Sequence, residues 1–461
     1  WDENPEKIMI DSDGLAGSTR LSVTSNVVFS GVTGPLDFTF GDYKILPETT
    51  PATSENMAPQ PVREMLPGEF TVAGFNIENF SNNAVQRQKA ALAIRSVMRS
   101  PDIIGLIEIL DLASLEALAA QINGDAIAAG DPDPGYEARL IPAPAGGTQN
   151  VGFLVKTSRI QIDSVVQERA GDTFINPNTG LPENLHDRPP LVLTATVDPA
   201  GPNPRQVIVV VNHLRSFIGI ELVAGDGVRV RAKRKAQAEA TAELLQQLQN
   251  ANPTTPVISI GDYNAFEFND GFTDPISVIK GTPRPDDEVV VDESPDLVNP
   301  DFINLTDGLQ PGDRYSFVFE GTPQTLDHVI INELAFSMVQ DYQIARNNAD
   351  FPETSDLTDD PTRSERSSDH DMPVAYFKFP IRATTTTVPD VDVTYASAGQ
   401  NVILTANVSA DINTVNEGTV TFTVTTQDGS TTIGTTSPAA VSNGSASANF
   451  FLPGSVLPQT L

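Results

Sequence analysis

At 461 residues the chain exceeds one ordinary domain, and a hydrophobic content of 39% can supply packed cores for two or three. The absence of cysteine excludes disulfides, thiolate metal sites and cysteine nucleophiles, and no apolar run is long enough for a transmembrane helix. With 60 acidic and 28 basic residues the net charge is −32, the wrong sign for holding phosphate backbones by bulk electrostatics.

The chain begins at Trp1 rather than Met, which fits a removed leader or a start inside a longer protein. Residues 1–46 read as short strands, at Ile8 to Ile10, Arg20 to Val23, Val27 to Phe29 and Leu36 to Phe40, too few for a full β domain. Residues 47–66, rich in Pro, Thr, Glu and Ser, read as a linker.

From residue 67 to 382 strands and helices mix. Phe70 to Phe75 is an apolar strand ending in Asn76-Ile77-Glu78-Asn79. Asn83 to Met98 carries Ala90, Ala91, Ile94, Val97 and Met98 at helical spacing. Ile103 to Ile107 is a second buried strand and ends in Glu108, followed by a helical stripe of Leu112, Leu115, Leu118, Ala119 and Ile122. Val207 to Val211 ends in Asn212-His213, Val230 to Asn250 is a third helix, and Val257 to Ile260 ends in Gly261-Asp262-Tyr263-Asn264-Ala265. The segment 281–301 is a long acidic, Pro-rich loop. Leu326 to Ile331 carries Asp327 and His328 into an apolar strand, and Ser367-Ser368-Asp369-His370-Asp371-Met372-Pro373 precedes the strand Val374 to Phe377. This order predicts paired sheets with helices outside.

After residue 382 the composition changes. A threonine run at 384–387 is followed by Val-rich alternation, clearest in Thr419 to Thr425, with turns at Asp428-Gly429 and Gly434. Short strands without helices over residues 383–461 predict an immunoglobulin-like sandwich, and the missing final strand before Leu461 predicts one cut short.

The polar residues at strand ends carry the chemistry. In α/β sheets sites form outside the carboxyl ends of strands. Three of the four histidines, His213, His328 and His370, lie in such segments. A carboxylate and an amide at 262 and 264 suit a hard cation or the water it activates. Glu108 and Asp369 come from distant strands and can meet only in the fold. The cluster Arg229, Arg231, Lys233, Arg234, Lys235 reads either as a solvated helix face or as a ridge that guides a nucleic-acid strand.

The ordered set Asn76, Glu108, Asn-His213, Gly-Asp262-x-Asn264-Ala, Asp327-His and Ser-Asp369-His370-x-x-Pro resembles the endonuclease/exonuclease/phosphatase superfamily, over about two-thirds of the chain. Asn150-Val-Gly-Phe-Leu and Asp187-Arg188-Pro-Pro-Leu resemble its secreted bacterial nuclease branch, and Val415 to Phe422 resembles a bacterial Ig-like repeat. The resemblance implies a two-sheet α/β sandwich of the DNase I-like type with all-β accessory segments, in a secreted or cell-surface bacterial protein. It implies a nuclease acting on DNA, with RNA as a further substrate, dependent on Mg²⁺, with Mn²⁺ or Ca²⁺ as alternatives. Glu108 and Asp369 would hold the metal, and Asp262 and Asn264 the attacking water or a second ion. His213 and His370 would flank the phosphate, with Asp327 fixing the tautomer of His370. Asn76 would orient Glu108 or a phosphate oxygen, and Asn150 and Arg188 would contact phosphate. His186 and His328 read as structural. The alternatives are a phosphatase or phospholipid phosphodiesterase on the same scaffold, or an inactive exported adhesion or scaffold protein. The Ig-like segment would serve a cell-surface or extracellular partner.

Overall fold

A computed structural model describes residues 7–12, 20–144, 147, 149–201, 204–380, 383–410, 414–416 and 418–456. The chain forms two compact units, residues 1–197 with 206–378, and residues 198–205 with 379–461.

The first unit is built on two six-stranded mixed sheets. We number its principal elements β1 (Glu69–Phe80), α1 (Ala84–Ser96), β2 (Ile103–Ile109), α2 (Leu112–Ala129), β3 (Tyr136–Leu140), β4 (Asn150–Lys156), β5 (Ile160–Gln167), β6 (Leu191–Val197), β7 (Arg205–His213), α3 (Asp226–Ala251), β8 (Val257–Asp262), α4 (Pro275–Lys280), β9 (Ile303–Asn304), β10 (Asp327–Ile331), β11 (Val339–Ala345) and β12 (Met372–Lys378). One sheet runs β11-β12-β1-β2-β4-β3 and the other β5-β6-β7-β8-β10-β9. Each has a parallel pair at its centre, β1 with β2 and β7 with β8. Each pair is joined through a helix, α1 or α3, as a parallel connection requires.

The central strands are apolar on both faces because both faces are covered. In β2, Ile104 and Leu106 pack with Ala90, Ile94, Leu115 and Leu118 of α1 and α2. In β7, Ile208 and Val210 pack with Ala238, Leu244 and Leu245 of α3. The alternate residues face the opposite sheet, where Gly105 is the contact point. A Cβ there would lie 2.6 Å from Ile260 Cδ1 and 3.0 Å from Val211 Cγ2. Gly261 is required in the same way: its φ is +143° and a Cβ would lie 2.1 Å from the Asn212 carbonyl oxygen.

At the N-terminus Ile8–Ile10, Leu36–Thr39 and Asp42–Ile45 form a small sheet, and Phe29–Ser30 pairs with Ala52–Thr53. Residues 20–23 form no strand. The second half of the segment read as a linker is docked. Gln60 bridges to Arg346, Val62 joins the core, and Arg63 pairs with Glu69 and Asp341 at 2.8 Å. Proline content there marks an irregular path over the sheet edge, not free chain.

In the second unit Gln400–Ser409 pairs antiparallel with Ser445–Leu452 and Thr385–Thr387, over a core of Val408, Val441 and Ala446. The alternating run at 419–425 is split into Thr419–Val420 and Thr423–Thr425, each with its own partner strand.

Candidate active site

The carboxyl ends of the two central parallel pairs lie side by side. Residues from both sheets meet there. Asn76 at the end of β1 donates from Nδ2 to Asp262 Oδ2 at 3.1 Å, so the carboxylate it orients is Asp262, where the resemblance implied Glu108 or a phosphate oxygen. Glu108 ends the apolar run of β2 with φ +67°, a left-handed conformation that costs a non-glycine residue about 1–3 kcal/mol. Its Oε2 accepts from the Asn79 backbone N–H at 3.0 Å, which holds the carboxylate over the β1 turn. His213 Nε2 stands 3.8 Å from Glu108 Oε1 and 3.7 Å from Asp262 Oδ2. His213, Glu108, Asp262 and Asn76 are thus one cluster drawn from four strands.

Asn264, with φ +47°, turns back on Asp262: its backbone N–H donates to Oδ1 at 2.8 Å and its Nδ2 to Oδ2 at 3.1 Å. Beneath them a polar set braces the strands, with Asn212 Nδ2 donating to Ser259 Oγ at 2.8 Å and Ser259 sharing a 2.6 Å hydrogen bond with the Tyr263 hydroxyl.

His370 comes from the turn before β12. Its Nδ1 lies 2.6 Å from Asp327 Oδ2, which also accepts from Ser316 Oγ at 2.7 Å. Burial alone would lower the His370 pKa. The Asp327 charge and hydrogen bond, with the fields of Asp262 and Asp369, outweigh it and raise the pKa well above the ordinary value. His213 behaves oppositely: burial, reinforced by the charges of Arg188 and His370, lowers its pKa well below the ordinary value. The charged form is thus favoured at His370 and the neutral form at His213. Burial also raises Asp262 to about 7 against the opposing pull of His370. Ser368 ties the His370 turn to β1 by donating to the Asn76 carbonyl at 2.6 Å.

Arg188 reaches the rim of this cluster. Its Nη1 donates to Gln149 Oε1 and its Nη2 to the Leu214 carbonyl, each at 3.1 Å, and its buried Nε has no partner among the described residues. No carboxylate pairs with Arg188 among the described residues, which is notable in so acidic a chain; this fits a group kept for an external anion. Asn150 is used differently. Its Nδ2 donates to the carbonyls of Ile109 and Leu110 and its Oδ1 accepts from Ala143 N–H, so both donors brace the loop after β2 and none is left for a phosphate.

Two residues at the site were not singled out by sequence. Glu78 is half-buried near Asp369 and Glu108; burial first, then the Asp369 charge, pushes its pKa up to about 7. It stands two residues after Asn76, but the left-handed turn at Glu78 and Asn79 (φ +51° and +48°) breaks the alternation that would have flagged it. Lys89 in α1 is the second. Its buried Nζ donates to the carbonyls of Leu357, Glu365 and Arg363 at 2.7, 2.7 and 2.9 Å, fixing the segment that leads into Asp369-His370. Three residues earlier on α1, Gln86 Nε2 donates to the Glu78 carbonyl at 2.8 Å. One helix face thus holds both walls of the site.

His328 is a structural histidine: Asn304 lies 2.9 Å from its Nδ1 and the Ala265 carbonyl 2.7 Å from its Nε2, which fixes a neutral tautomer. His186 is buried, and burial lowers its pKa to about 4. The basic cluster on α3 is neither a solvated face nor a ridge. Arg231, Lys233 and Arg234 are 7, 2 and 2% exposed. Arg231 caps the carbonyls of Ile220 and Leu222, Lys233 pairs with Asp187 at 2.8 Å, and Arg234 with Asp270 at 3.0 Å.

Among the described residues no three carboxylate or imidazole groups form a ready metal cage. The donor chemistry nonetheless fits Mg²⁺, which keeps several waters and takes only one or two carboxylates. Glu108, Asp369 and Glu78 are the partly exposed carboxylates here, with buried Asp262 close by.

No protein-family model and no curated protein matches the chain. Among solved structures it is similar to D. rerio TDP2 complexed with a single-strand DNA product (14% identity, TM-score 0.42, covering 68% of this chain and 99% of that one). It is also similar to the human Nocturnin catalytic domain with bound sulfate (16%, 0.42, 68% and 96%) and to an endonuclease/exonuclease/phosphatase from Bacteroides vulgatus (13%, 0.41, 68% and 99%).

Proposed function

We propose that the chain is a metal-dependent phosphodiesterase of the endonuclease/exonuclease/phosphatase type, a secreted nuclease that cleaves DNA, with RNA as a second candidate substrate. The observation that carries this reading is the meeting of Glu108, His213, Asp262 and the Asp327–His370 pair at the paired strand ends of both sheets. A carboxylate cluster beside a charged and a neutral histidine is the equipment for water attack on a phosphoester.

Glu108 and Asp369 would hold Mg²⁺, with Glu78 as a further carboxylate. The bound ion would neutralise phosphate charge and lower the pKa of a coordinated water. Asp262, ionised above pH of about 7, accepts the proton of the attacking water, and the amide of Asn264 keeps that carboxylate turned toward it. Protonated His370, locked by Asp327 through Nδ1, presents Nε2 as a charged donor to the phosphate. Arg188 supplies a second donor for the developing charge. The second unit, read as an Ig-like module, carries none of these residues and serves attachment or partner contact.

The test is a turnover screen in the presence of Mg²⁺ or excess chelator on plasmid DNA, RNA, a bis-nitrophenyl phosphodiester and a phosphomonoester. Chelator-sensitive cleavage of DNA and the diester supports the reading, and the RNA arm decides the second substrate. Exclusive hydrolysis of the monoester would move the assignment to a phosphatase, and turnover in excess chelator would remove the metal from it.

A further inference from the structure

Beside the phosphate cluster lies a stack of aromatic rings that the chemistry above does not use. Phe217 follows His213 by four residues and Phe266 follows Asn264 by two. Their rings stack at 4.9 Å with planes 26° apart, and Phe268 continues the ladder at 5.3 Å and 30°. Phe268, at the open end, is 56% exposed. The closed end is floored by buried Arg234, whose guanidinium lies 4.3 Å from the Phe217 centroid. Arg234 Nη1 also donates to the carbonyls of Arg215 and Asn264 at 2.6 and 2.7 Å. The ladder is therefore fixed to the same two backbone segments that carry His213 and Asp262.

Arg215 belongs to the same ledge. Its guanidinium donates to Ser216 Oγ at 2.6 Å and to the Ile218 carbonyl at 3.2 Å, and no carboxylate pairs with it among the described residues. A guanidinium without a carboxylate partner, two residues before the first ring of the ladder and following His213 in the chain, has the alternation of a nucleotide chain: phosphate, then base.

Resting on the phosphodiesterase reading, we infer that Arg215 and the Phe217–Phe266–Phe268 ladder form a nucleotide subsite. It stacks the base of a nucleotide flanking the scissile phosphate and holds the neighbouring phosphate. The net charge of −32 gives the subsite its importance. A chain that repels polyanions at long range must gain affinity from a term that charge does not oppose, and base stacking on aromatic faces is such a term. An acyl chain would draw nothing from stacked ring planes or from a guanidinium that lacks a carboxylate partner, so a lipid is the weaker occupant.

The experiment compares the full chain with Phe268→Ala and Phe268→Trp on oligothymidylate and on an abasic oligomer of equal length, with Mg²⁺. Wild type should prefer the base-bearing strand. Phe268→Ala should cut the ratio of the two kcat/KM values roughly tenfold, the scale of one stacked base, and Phe268→Trp should preserve it. A binding arm needs no turnover: the new indole of Phe268→Trp should be quenched by oligothymidylate and not by the abasic oligomer. An unchanged ratio in Phe268→Ala, or quenching by phosphatidylcholine vesicles in place of the oligonucleotide, would overturn the subsite. Absence of any phosphodiester turnover by wild type would instead remove the phosphodiesterase reading, while the quenching result would still decide the subsite.

Discussion

Gly105→Ala tests whether the site is set by the spacing of the two sheets. The added methyl would sit 2.6 Å from Ile260 Cδ1 and 3.0 Å from Val211 Cγ2, whereas carbon atoms in contact rest about 3.5–4.0 Å apart. Either Ile260 leaves its rotamer or the sheets part by about 1 Å, and overpacking of this kind costs about 1–3 kcal/mol. Glu108 lies three residues on from Gly105 along β2, and Asp262 two residues on from Ile260 along β8, so the wedge separates the two carboxylates. A misplacement near 1 Å can cost on the order of 10²-fold in turnover. Ile260→Val removes the atom struck and by itself costs about 0.5–1.5 kcal/mol. The double variant should therefore be more stable than the two single effects predict, by about 1 kcal/mol or more, and should regain most of the lost activity. Urea midpoints by circular dichroism and kcat on a small phosphodiester form the cycle. Additive midpoints, or lost activity that Ile260→Val fails to restore, would show that sheet spacing does not govern the site.

Asp327→Asn should lower the pKa of His370 and reduce kcat about 10²–10⁴-fold, with the fold intact by circular dichroism; an unchanged rate would remove the pair from the chemistry. Because Asp262 has its pKa raised to about 7, kcat/KM should fall as pH drops below that value, roughly 100-fold by pH 5, and higher Mg²⁺ should shift the limb to lower pH. The same raised pKa means that stability is present below the unfolded carboxyl pKa and lost as pH rises through about 7. Asp262→Asn should accordingly raise the urea midpoint at pH 8, leave it unchanged near pH 4, and abolish turnover. Glu108→Gly should be more stable than Glu108→Ala by about 0.5–1 kcal/mol, since glycine accepts φ +67° without strain, while both lose the Mg²⁺ response in a titration of activity.

The strand ends were legible because parallel strands buried on both faces read as unbroken apolar runs, and the first polar residue after each run is where the backbone emerges. That logic placed Asn76, Glu108, His213 and Asp262 together in the structure. It failed where backbone direction changes. Glu78 lies in a left-handed turn, so its nearness to Asp369 could not be counted off by alternation. It failed again for the basic cluster on α3, because a sequence shows the cations of Lys233 and Arg234 but not that Asp187 and Asp270, 46 and 36 residues away, come back to neutralise them. Asn150 was misread for a related reason: an amide facing a site and an amide holding a loop look alike until the carbonyls of Ile109 and Leu110 are in place.

Lys89 separates two properties that proteins with divalent ions often join. Its ammonium occupies a ring of carbonyl oxygens of the kind that would otherwise coordinate calcium, but it is covalently tethered and cannot be dialysed away. Its local concentration is set by the chain, not by the medium. A chelator acting on the carboxylate cluster would therefore leave the segment from Leu357 to Glu365 in position. Recovery on return of Mg²⁺ should then proceed at the speed of ion binding, with no slow phase of loop folding, and protein stored in metal-free buffer should keep its full capacity to be reactivated.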